Sequence, residues 1–250
     1  MEAGMFDQPK TVLLAGGSGG LARAIGAEIV RRYPDITLVT LSRGAVDRVP
    51  GHVGERRHLT VSLADEHSIK SVETFLSEFP SPPDWVINCC GLLHDEFHGP
   101  EKSLAQCEDD WLIQSLRTNL LTHMHLAQAL DRKLLRKQPL LWVSLSAKVG
   151  SIGDNELGGW YSYRISKASL NMLIKNLSIE WGRRLENSCV VAIHPGTTDT
   201  ALSKPFQGNL APGKLYSPAL SAGRIVDVIQ QLAPADSGNL FFWDGSRLPW

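Results

Sequence analysis

The sequence predicts an α/β fold in which a parallel, doubly wound sheet of seven strands carries helices on both faces. Strand-like apolar runs alternate with helical segments along the chain, a pattern typical of βαβ units. The chain has 250 residues, of which 43% are apolar, so it can bury a substantial core. A glycine-rich turn separates the first apolar run from the first helix, as is typical of a Rossmann-type domain.

The predicted elements follow one another without an internal repeat or a Gly/Pro/Ser-rich linker, so residues 1–250 are predicted to form a single Rossmann-type domain. The seven strands are expected at residues 11–16, 36–42, 58–63, 85–88, 140–146, 189–194 and 240–243. The helices are expected at residues 20–33, 66–79, 109–136, 160–185 and 218–232. Right-handed crossovers between parallel strands would place these helices on both faces of the sheet.

Charge and composition narrow the classes of partner. The chain carries 25 basic and 26 acidic residues, and this balance gives no general attraction to nucleic acid or to an anionic membrane surface. No run reaches the roughly 18–20 apolar residues that span a bilayer. Residues 1–10 also lack the apolar core of a signal peptide. The sequence therefore predicts a cytoplasmic protein that binds a small molecule.

The turn after the first predicted strand is a candidate phosphate site. It contains Gly16, Ser18, Gly20 and Leu21, and the first helix begins within it. Small residues allow a tight turn, and main-chain N–H groups at a helix N-terminus favour a pyrophosphate. We therefore predict that these four residues bind a dinucleotide.

The end of the second predicted strand indicates which dinucleotide is bound. An acidic residue at this point would bind the ribose 2′-hydroxyl of NAD, but the chain has Ser42 and Arg43. A guanidinium pairs with a phosphate in bidentate geometry, and the missing carboxylate removes a repulsion. The cofactor is thus predicted to be NADP(H) rather than NAD(H), with Ser42 and Arg43 at the 2′-phosphate.

A tyrosine and a lysine four residues apart are candidates for proton transfer. Tyr163 and Lys167 would share one face of the helix predicted at residues 160–185. A phenol has a reference pKa of about 10, so it needs a nearby positive charge to transfer protons near neutral pH. Tyr161 has Ile165 at the corresponding position, which makes Tyr163 the stronger candidate.

Together with these motifs, other segments resemble the short-chain dehydrogenase/reductase family in the same order along the chain. In the turn, Ala15 and Ala22 replace residues that the family has as Thr and Gly, and both substitutes are small. The resemblance implies hydride transfer between NADP(H) and a carbonyl or alcohol, with Tyr163 as general acid/base and Lys167 lowering its pKa and binding the nicotinamide ribose. It implies that Asn119 binds a water in a proton relay. The further cofactor contacts that it implies are Leu63, Asn88, Cys90, Gly91, Pro195, Gly196, Thr198 and Thr200.

The catalytic serine is where the chain departs from that family pattern. The family usually has this serine 13 residues before the tyrosine, and that position is Gly150 in this chain. The connection to Tyr163 is therefore longer here. We assign Ser146 to hold the substrate oxygen, and Ser144 and Ser151 are the alternatives.

Residues 150–163 and 243–250 are similar to the C-factor (C-signal-like) branch of the family. Some members of that branch are described as signals, so the alternative function is a nucleotide-binding regulatory or signalling protein with little turnover. Relatives commonly pair the two helices predicted at 109–136 and 160–185, which implies a homodimer or homotetramer. The candidate interface residues are Leu170, Leu173, Leu177 and Trp181, although apolar stripes at this spacing more often face the sheet.

Two remaining segments carry predictions of their own. Residues 197–218 follow a strand end and are rich in Pro and Gly, so we expect a loop that covers the substrate. His94 and His98 are four residues apart and would chelate a metal if they were helical. Because they follow a strand end, no metal site is predicted.

Overall fold

The computed structural model describes residues 5–250, and a twisted sheet of eight strands organises them. Ten strands occur in chain order: β1 (Thr11–Ala15), β2 (Thr37–Ser42), β3 (Arg56–Thr60), β4 (Trp85–Asn88), β5 (Leu140–Leu145), β6 (Ser188–His194), β7 (Thr197–Thr198), β8 (Leu215–Tyr216), β9 (Leu240–Phe242) and β10 (Arg247–Leu248). The sheet has the order β10-β9-β6-β5-β4-β1-β2-β3, and β7 pairs separately with β8.

The strand order reverses between β1 and β4. From β1 the chain proceeds outward to β2 and β3, and it then crosses back to β4 on the other side of β1. The loops that leave β1 and β4 therefore diverge and open a crevice at the carboxyl edge of the sheet. Ligands of open α/β sheets bind at such a switch point.

Helices cover both faces of the sheet. They are α1 (Gly20–Arg32), α2 (Ser68–Leu76), α3 (Asp109–Leu116), α4 (Thr122–Asp131), α5 (Tyr161–Arg184) and α6 (Pro218–Gln231). Alternate residues of β1 supply the two cores, because successive side chains of a strand point to opposite faces. Val12 and Leu14 belong to the core under α1 and α6, whereas Leu13 and Ala15 belong to the core under α2, α4 and α5.

The prediction of one continuous helix at 109–136 is wrong. A π-helical turn, Arg117–Leu121, separates α3 from α4, and α4 ends at Asp131. The π turn carries Asn119, whose side chain bonds the main chain of Leu92 in the loop after β4. Periodicity could not reveal this contact because its partner is remote in sequence. The other predicted elements agree with the observed ones to within three residues at each end.

The doubly wound α/β fold is confirmed, but the sheet has eight strands rather than seven. The additional strand is β10, which pairs antiparallel with β9 through a turn at Gly245, where φ is +84°. The two-residue β10 is too short to show an alternating pattern, so sequence periodicity could not find it.

The apolar stripe of α5 faces the sheet. Leu170 and Trp181 are 0% and 1% exposed, Leu177 is buried, and Leu173 packs against the same core. The alternative stated for this stripe, that it faces the sheet, therefore holds for Leu170, Leu177 and Trp181, which are not accessible to a partner subunit. Within residues 5–250, no helix has the length and apolar content needed to cross a membrane.

Candidate active site

A cleft of about 410 Å³ opens at the crevice between β1 and β4, and it gathers segments from most of the chain. The predicted site residues that line it are Gly20, Leu21, Arg43, Cys90, Gly91, Ser146, Tyr163, Lys167, Pro195 and Thr200. An adjoining cavity of about 280 Å³ shares three of them, and it adds the predicted residues Gly16, Ser18, Ser42 and Leu63. Fourteen residues chosen by motif thus surround one continuous depression.

The glycine-rich turn is built to let main chain approach a ligand. The N–H groups of Gly16 and Gly17 donate to the Leu41 carbonyl at 2.8 and 3.1 Å, which ties the turn to β2. Gly16 has φ +74°, and a Cβ there would lie 3.1 Å from the Cys90 nitrogen. In the described chain, no side chain caps the N-terminus of α1. The first-turn N–H groups of α1 therefore remain available to an anion.

The two polar residues at the carboxyl end of β2 differ in whether they can reach a ligand. Ser42 is buried, and its hydroxyl donates to the Gly44 carbonyl at 2.6 Å. Arg43 is exposed where the two cavities meet. Of the two, Arg43 is the group that can reach a phosphate, whereas Ser42 shapes the loop that presents it.

The loop after β4 is held by buried polar side chains. Asn88 accepts a hydrogen bond from Cys90 N at 3.0 Å and donates to the Thr122 carbonyl at 3.3 Å. Asn88 thus lies behind the cleft and fixes its wall. The Cys90 carbonyl lies 3.3 Å from His123 Nε2, and burial lowers the pKa of His123 to about 3, so this imidazole is neutral.

Tyr163 and Lys167 stand one turn apart on α5 and both face the cleft. Lys167 is 3% exposed, and its Nζ donates to the Leu145 carbonyl at 3.0 Å and lies 5.9 Å from the centre of the Tyr163 ring. Burial lowers the pKa of Lys167 to about 8 and raises the pKa of Tyr163 above its usual value. The net shift of the Tyr163 pKa is upward because desolvation of the phenol is its largest cause.

The three candidate serines have different surroundings. Ser144 is fully buried, and its hydroxyl lies 2.9 Å both from Trp142 Nε1 and from His123 Nδ1. Ser151 is also buried, and it accepts a hydrogen bond from Asp154 N at 3.1 Å. Ser146 alone of the three lines the cleft. Geometry thus favours Ser146 over both alternatives.

Asn119 lies behind the cleft. Its Nδ2 donates to the Leu92 carbonyl at 2.8 Å and to Ser166 Oγ at 2.9 Å, and its Oδ1 accepts from Leu92 N at 2.7 Å. Both amide protons are therefore engaged by protein groups. A water that binds the Asn119 side chain therefore has to use the second lone pair of Oδ1.

The segment from Pro195 to Thr200 contributes to the cleft only in part. Pro195 and Thr200 line it, whereas Thr198 is buried and its hydroxyl lies 2.8 Å from Ser221 Oγ on α6. Gly196 has φ +73°, and a Cβ there would lie 2.9 Å from the Tyr216 ring. Gly196 and the Thr198 side chain thus shape the segment from outside the cleft wall.

The sequence reasoning found only part of the far end of the cleft, because Ala201 and Leu202 belong to the loop predicted at 197–218 but Leu92 and Leu93 were not predicted. The walls of this end include Leu92, Leu93, His94, Ala201 and Leu202. These residues follow β4 or lie beyond β7, and no spacing rule marks them. Because most of their side chains are apolar, this end favours an apolar group on a ligand.

An aromatic cluster lies beside that end. Trp160 has its ring centre 6.2 Å from that of Tyr163 and 5.6 Å from that of Phe206. Phe206 belongs to the 3-10 segment Lys204–Asn209, and its ring centre lies 5.7 Å from that of His94. Trp160 has φ +54°, and it follows two glycines that also have positive φ. Three consecutive residues with positive φ thus precede α5, and the indole of Trp160 contacts Phe206 in the loop after β7.

The two histidines considered for a metal make separate contacts. His94 Nε2 lies 3.0 Å from the Ala201 carbonyl, and this contact links the loop after β4 to the loop after β7. The ring of His98 stacks on Trp111 with 4.9 Å between ring centres, and its Nδ1 lies 3.0 Å from Asp95 Oδ1. The two imidazoles thus contact different protein groups, His94 the Ala201 carbonyl and His98 the Asp95 carboxylate.

The residues present fit a dinucleotide. A Cβ at Gly16 or Gly20 would fill the space above α1, since the contacts would be 3.1 Å to Cys90 N and 3.3 Å to Thr200 Cγ2. The uncapped helix N-terminus suits a pyrophosphate, and Arg43 suits an additional phosphate. Lys167 and Tyr163 stand at the other end of the same depression, beside Ser146.

Known proteins are similar to this chain in sequence. The sequence is 29% identical over 241 residues to 1-hydroxy-2-glutathionyl-2-methyl-3-butene dehydrogenase of Rhodococcus sp. (strain AD45), covering 96% of this chain and 99% of the relative. It is 34% identical over 106 residues to C-signal of Myxococcus xanthus, covering 42% of this chain and 58% of that relative.

Solved structures share the fold. Carbonyl reductase Sniffer of D. melanogaster superposes with a TM-score of 0.79 at 22% identity, over 96% of this chain and 99% of that one. A short-chain dehydrogenase/reductase from Burkholderia multivorans with bound NADP has a TM-score of 0.77 at 25% identity, over 97% and 100% of the two chains. The sequence model described as short chain dehydrogenase matches residues 10–210. The chain therefore belongs to the short-chain dehydrogenase/reductase family of oxidoreductases, which act on carbonyl and alcohol groups.

Proposed function

We propose that the protein is an NADP(H)-dependent oxidoreductase that interconverts a small carbonyl compound and its alcohol, with Tyr163 as general acid/base. The observation that carries this proposal is the meeting of Ser146, Tyr163 and Lys167 at one end of a cleft whose other end presents Arg43 and the glycine-rich turn. The Burkholderia multivorans relative that was solved with NADP supports the choice of cofactor.

NADPH supplies hydride to a carbonyl carbon when it is bound, and the protein has to supply the proton and hold the oxygen. The Tyr163 phenol, kept protonated by its raised pKa, donates that proton to the substrate oxygen. Ser146 hydrogen-bonds the same oxygen and polarises the carbonyl. Lys167 binds the nicotinamide ribose, and its positive charge stabilises the phenolate that proton transfer leaves behind.

Other chain segments support this site. Asn119 holds the loop after β4 through Leu92, and its free lone pair is the position for a relay water. Residues 197–218 form the loop that covers the substrate. We further propose a homodimer or homotetramer, with an interface that uses the exposed apolar residues of α5, Ile165, Met172 and Ile179, instead of its buried stripe.

The decisive experiment is NADPH oxidation followed at 340 nm against aldehydes, ketones and quinones, for the native protein and for Tyr163→Phe. We expect turnover that prefers NADPH over NADH and falls by about 10²–10⁴-fold in the variant, because a general acid contributes this much. The dissociation constant for NADPH should not change, since the phenol does not hold the phosphates. Full turnover by Tyr163→Phe would refute the mechanism.

The similarity to C-signal supports a second candidate, a nucleotide-binding signalling or regulatory protein with little turnover. This candidate predicts tight NADPH binding without reduction of any carbonyl in the panel. The same assay therefore separates the two functions.

A further inference from the structure

Asn171 is a buried polar residue one helical turn beyond Lys167, and no part of the mechanism above uses it. Its side chain is 4% exposed, and its Oδ1 lies 2.6 Å from Ser146 Oγ. Its Nδ2 is buried without a hydrogen-bond partner among the described residues. Tyr163, Lys167 and Asn171 are spaced four residues apart, so they lie on one face of α5.

The single proton of the Ser146 hydroxyl decides what this contact can do. A carbonyl oxygen only accepts hydrogen bonds, so Ser146 has to donate its proton to polarise a ketone or aldehyde. When the amide is oriented with Oδ1 toward Ser146, the serine donates that proton to Asn171 Oδ1. Ser146 Oγ and the substrate carbonyl oxygen would then both be acceptors with no proton between them, so the serine would not assist reduction.

Rotating the Asn171 amide by about 180° about its terminal bond frees the Ser146 proton for the substrate and gives the buried Nδ2 a hydrogen-bond partner. The oxygen and nitrogen of an amide have nearly the same shape, and their assignment follows from the hydrogen-bond network. In the rotated state Nδ2 donates one of its two protons to Ser146 Oγ, so a buried amide donor gains a partner, and Oδ1 takes the former place of Nδ2. Orphaned buried donors are rarer in proteins than under-satisfied carbonyl oxygens, so this state is the more favourable.

We infer that Asn171 is a positioning residue that donates to Ser146 Oγ and thereby directs the serine proton toward the substrate oxygen. The inference rests on the proposed function, because it assumes that Ser146 polarises a carbonyl. It assigns to α5 a third residue of the site, after the acid Tyr163 and the cation Lys167. Tyr163, Lys167 and Asn171 are thus all positioned by one helix, α5.

A double-substitution experiment separates this role from simple packing. Asn171→Leu should lower kcat by about 10-fold or more, since removing a donor at a developing oxyanion costs about 10²–10³-fold and Asn171 acts one bond further away. The KM and the NADPH dissociation constant should stay within about 2-fold, because Asn171 touches neither partner. In a Ser146→Ala background, Asn171→Leu should have no further effect on kcat. Independent losses that multiply would overturn the inference, as would an unchanged kcat.

The pH profile of Asn171→Asp provides a second test. An ionised carboxylate only accepts, so it would hold the serine proton away from the substrate, whereas a neutral carboxyl group can donate as the amide does. We expect kcat of Asn171→Asp to rise toward acidic pH relative to the native protein, and kcat of Asn171→Leu to show no such rise. Parallel profiles for the two variants would contradict the donor role.

A measurement without cofactor or substrate completes the set. In protein labelled with ¹⁵N-asparagine, the Asn171 side-chain amide signal should exchange slowly with solvent in the native protein and faster in Ser146→Ala. Ser178→Ala is the matched control, because Ser178 is a borderline-buried serine further along α5 whose hydroxyl bonds the Lys175 carbonyl. Equal exchange in all three proteins would refute the contact. If Tyr163→Phe is inactive but the Asn171 variants behave as native, only this inference fails.

Discussion

The two ends of the cleft are built in different ways. The nucleotide end, which comprises residues 16–21, 42, 43 and 63, is formed largely by main chain that leaves β1, β2 and β3. Its turn is fixed by N–H groups that donate to Leu41 O and by the close approach of Gly16 to Cys90. The opposite end, called the substrate end here after its proposed role, comprises residues 92–94 and 200–202, with the rings of Trp160 and Phe206 beside it, and it is formed by side chains on loops that pack on one another.

This difference has a physical consequence for specificity. A main-chain cradle tolerates few residue types, because backbone conformation and close contact exclude a Cβ. A wall of side chains on loops accepts many residue types, and its shape changes with each of them. The nucleotide end should therefore be rigid and intolerant of substitution, and the substrate end adaptable.

The largest effect is expected at Lys167, which lines the cleft with Tyr163 and Ser146. Lys167→Met should lower kcat by about 10²-fold or more, because the charge that supports proton transfer is lost. The same substitution should stabilise the fold at pH 7 by about 1–3 kcal/mol. Burial of the charged amine destabilises the native state, and the amine makes only one hydrogen bond in return. Kinetics and chemical denaturation measure the two effects.

The stability gain of Lys167→Met has a defined pH dependence. The pKa of Lys167 is lowered from 10.5 to about 8, so the unfolded chain binds more protons than the native protein between these values. The cost of the buried charge is present in full below pH 8 and fades as the pH rises toward 10.5. The gain should therefore be larger at pH 7 than at pH 10. A variant that is less stable than the native protein at both pH values would refute the burial argument.

The next effect concerns the cradle itself. Gly16→Ala should destabilise the fold by about 2–4 kcal/mol, because it combines a positive φ with contact between a new Cβ and main chain. Gly51→Ala is the matched control, since Gly51 has φ +79° but no atom within 4 Å of a new Cβ. Chemical denaturation should show a smaller loss for the control. Equal losses would mean that backbone strain alone, and not close approach, makes Gly16 necessary.

A smaller effect is expected for the phosphate contact. Arg43→Ser should weaken NADPH binding by about 10–100-fold, the value of one charge-assisted hydrogen-bond pair, and should leave NADH binding nearly unchanged. Fluorescence titration of both cofactors measures the preference. Arg48→Ser, a nearby exposed arginine that does not line either cavity, is the control. Equal losses for NADPH and NADH would place Arg43 away from the 2′-phosphate.

The smallest effect is expected at the substrate end. Phe206→Ala should raise KM for aromatic ketones by roughly 3–10-fold, because an aromatic contact contributes about 1 kcal/mol. It should leave the NADPH dissociation constant unchanged. Comparing an aromatic with a small aliphatic ketone gives the control within one variant. An equal rise in KM for both ketones would show that Phe206 shapes the loop and does not contact the substrate.

Much of the nucleotide end could be predicted because its signals are local. The strand, turn and helix that form the cradle are adjacent in sequence, and the positions of Gly16, Gly20 and Arg43 follow from that order. Tyr163 and Lys167 could be paired because helical spacing alone puts them on one face. The choice among Ser144, Ser146 and Ser151 could not be made in this way, because their availability depends on His123, Trp142 and Asp154.

The sequence by itself determined the α/β fold, the glycine-rich turn and the spacing of Tyr163 and Lys167, since each depends on neighbours within one or two elements. Only the tertiary structure decided that Asn119, in a π turn, bonds Leu92, and that an eighth strand pairs at the edge of the sheet. It alone decided that the ring of Phe206 contacts that of Trp160. It also decided the desolvation of the Tyr163 phenol, which raises the pKa of this group. These outcomes depend on packing between segments that are remote in sequence, and packing density and desolvation exist only after the chain has folded.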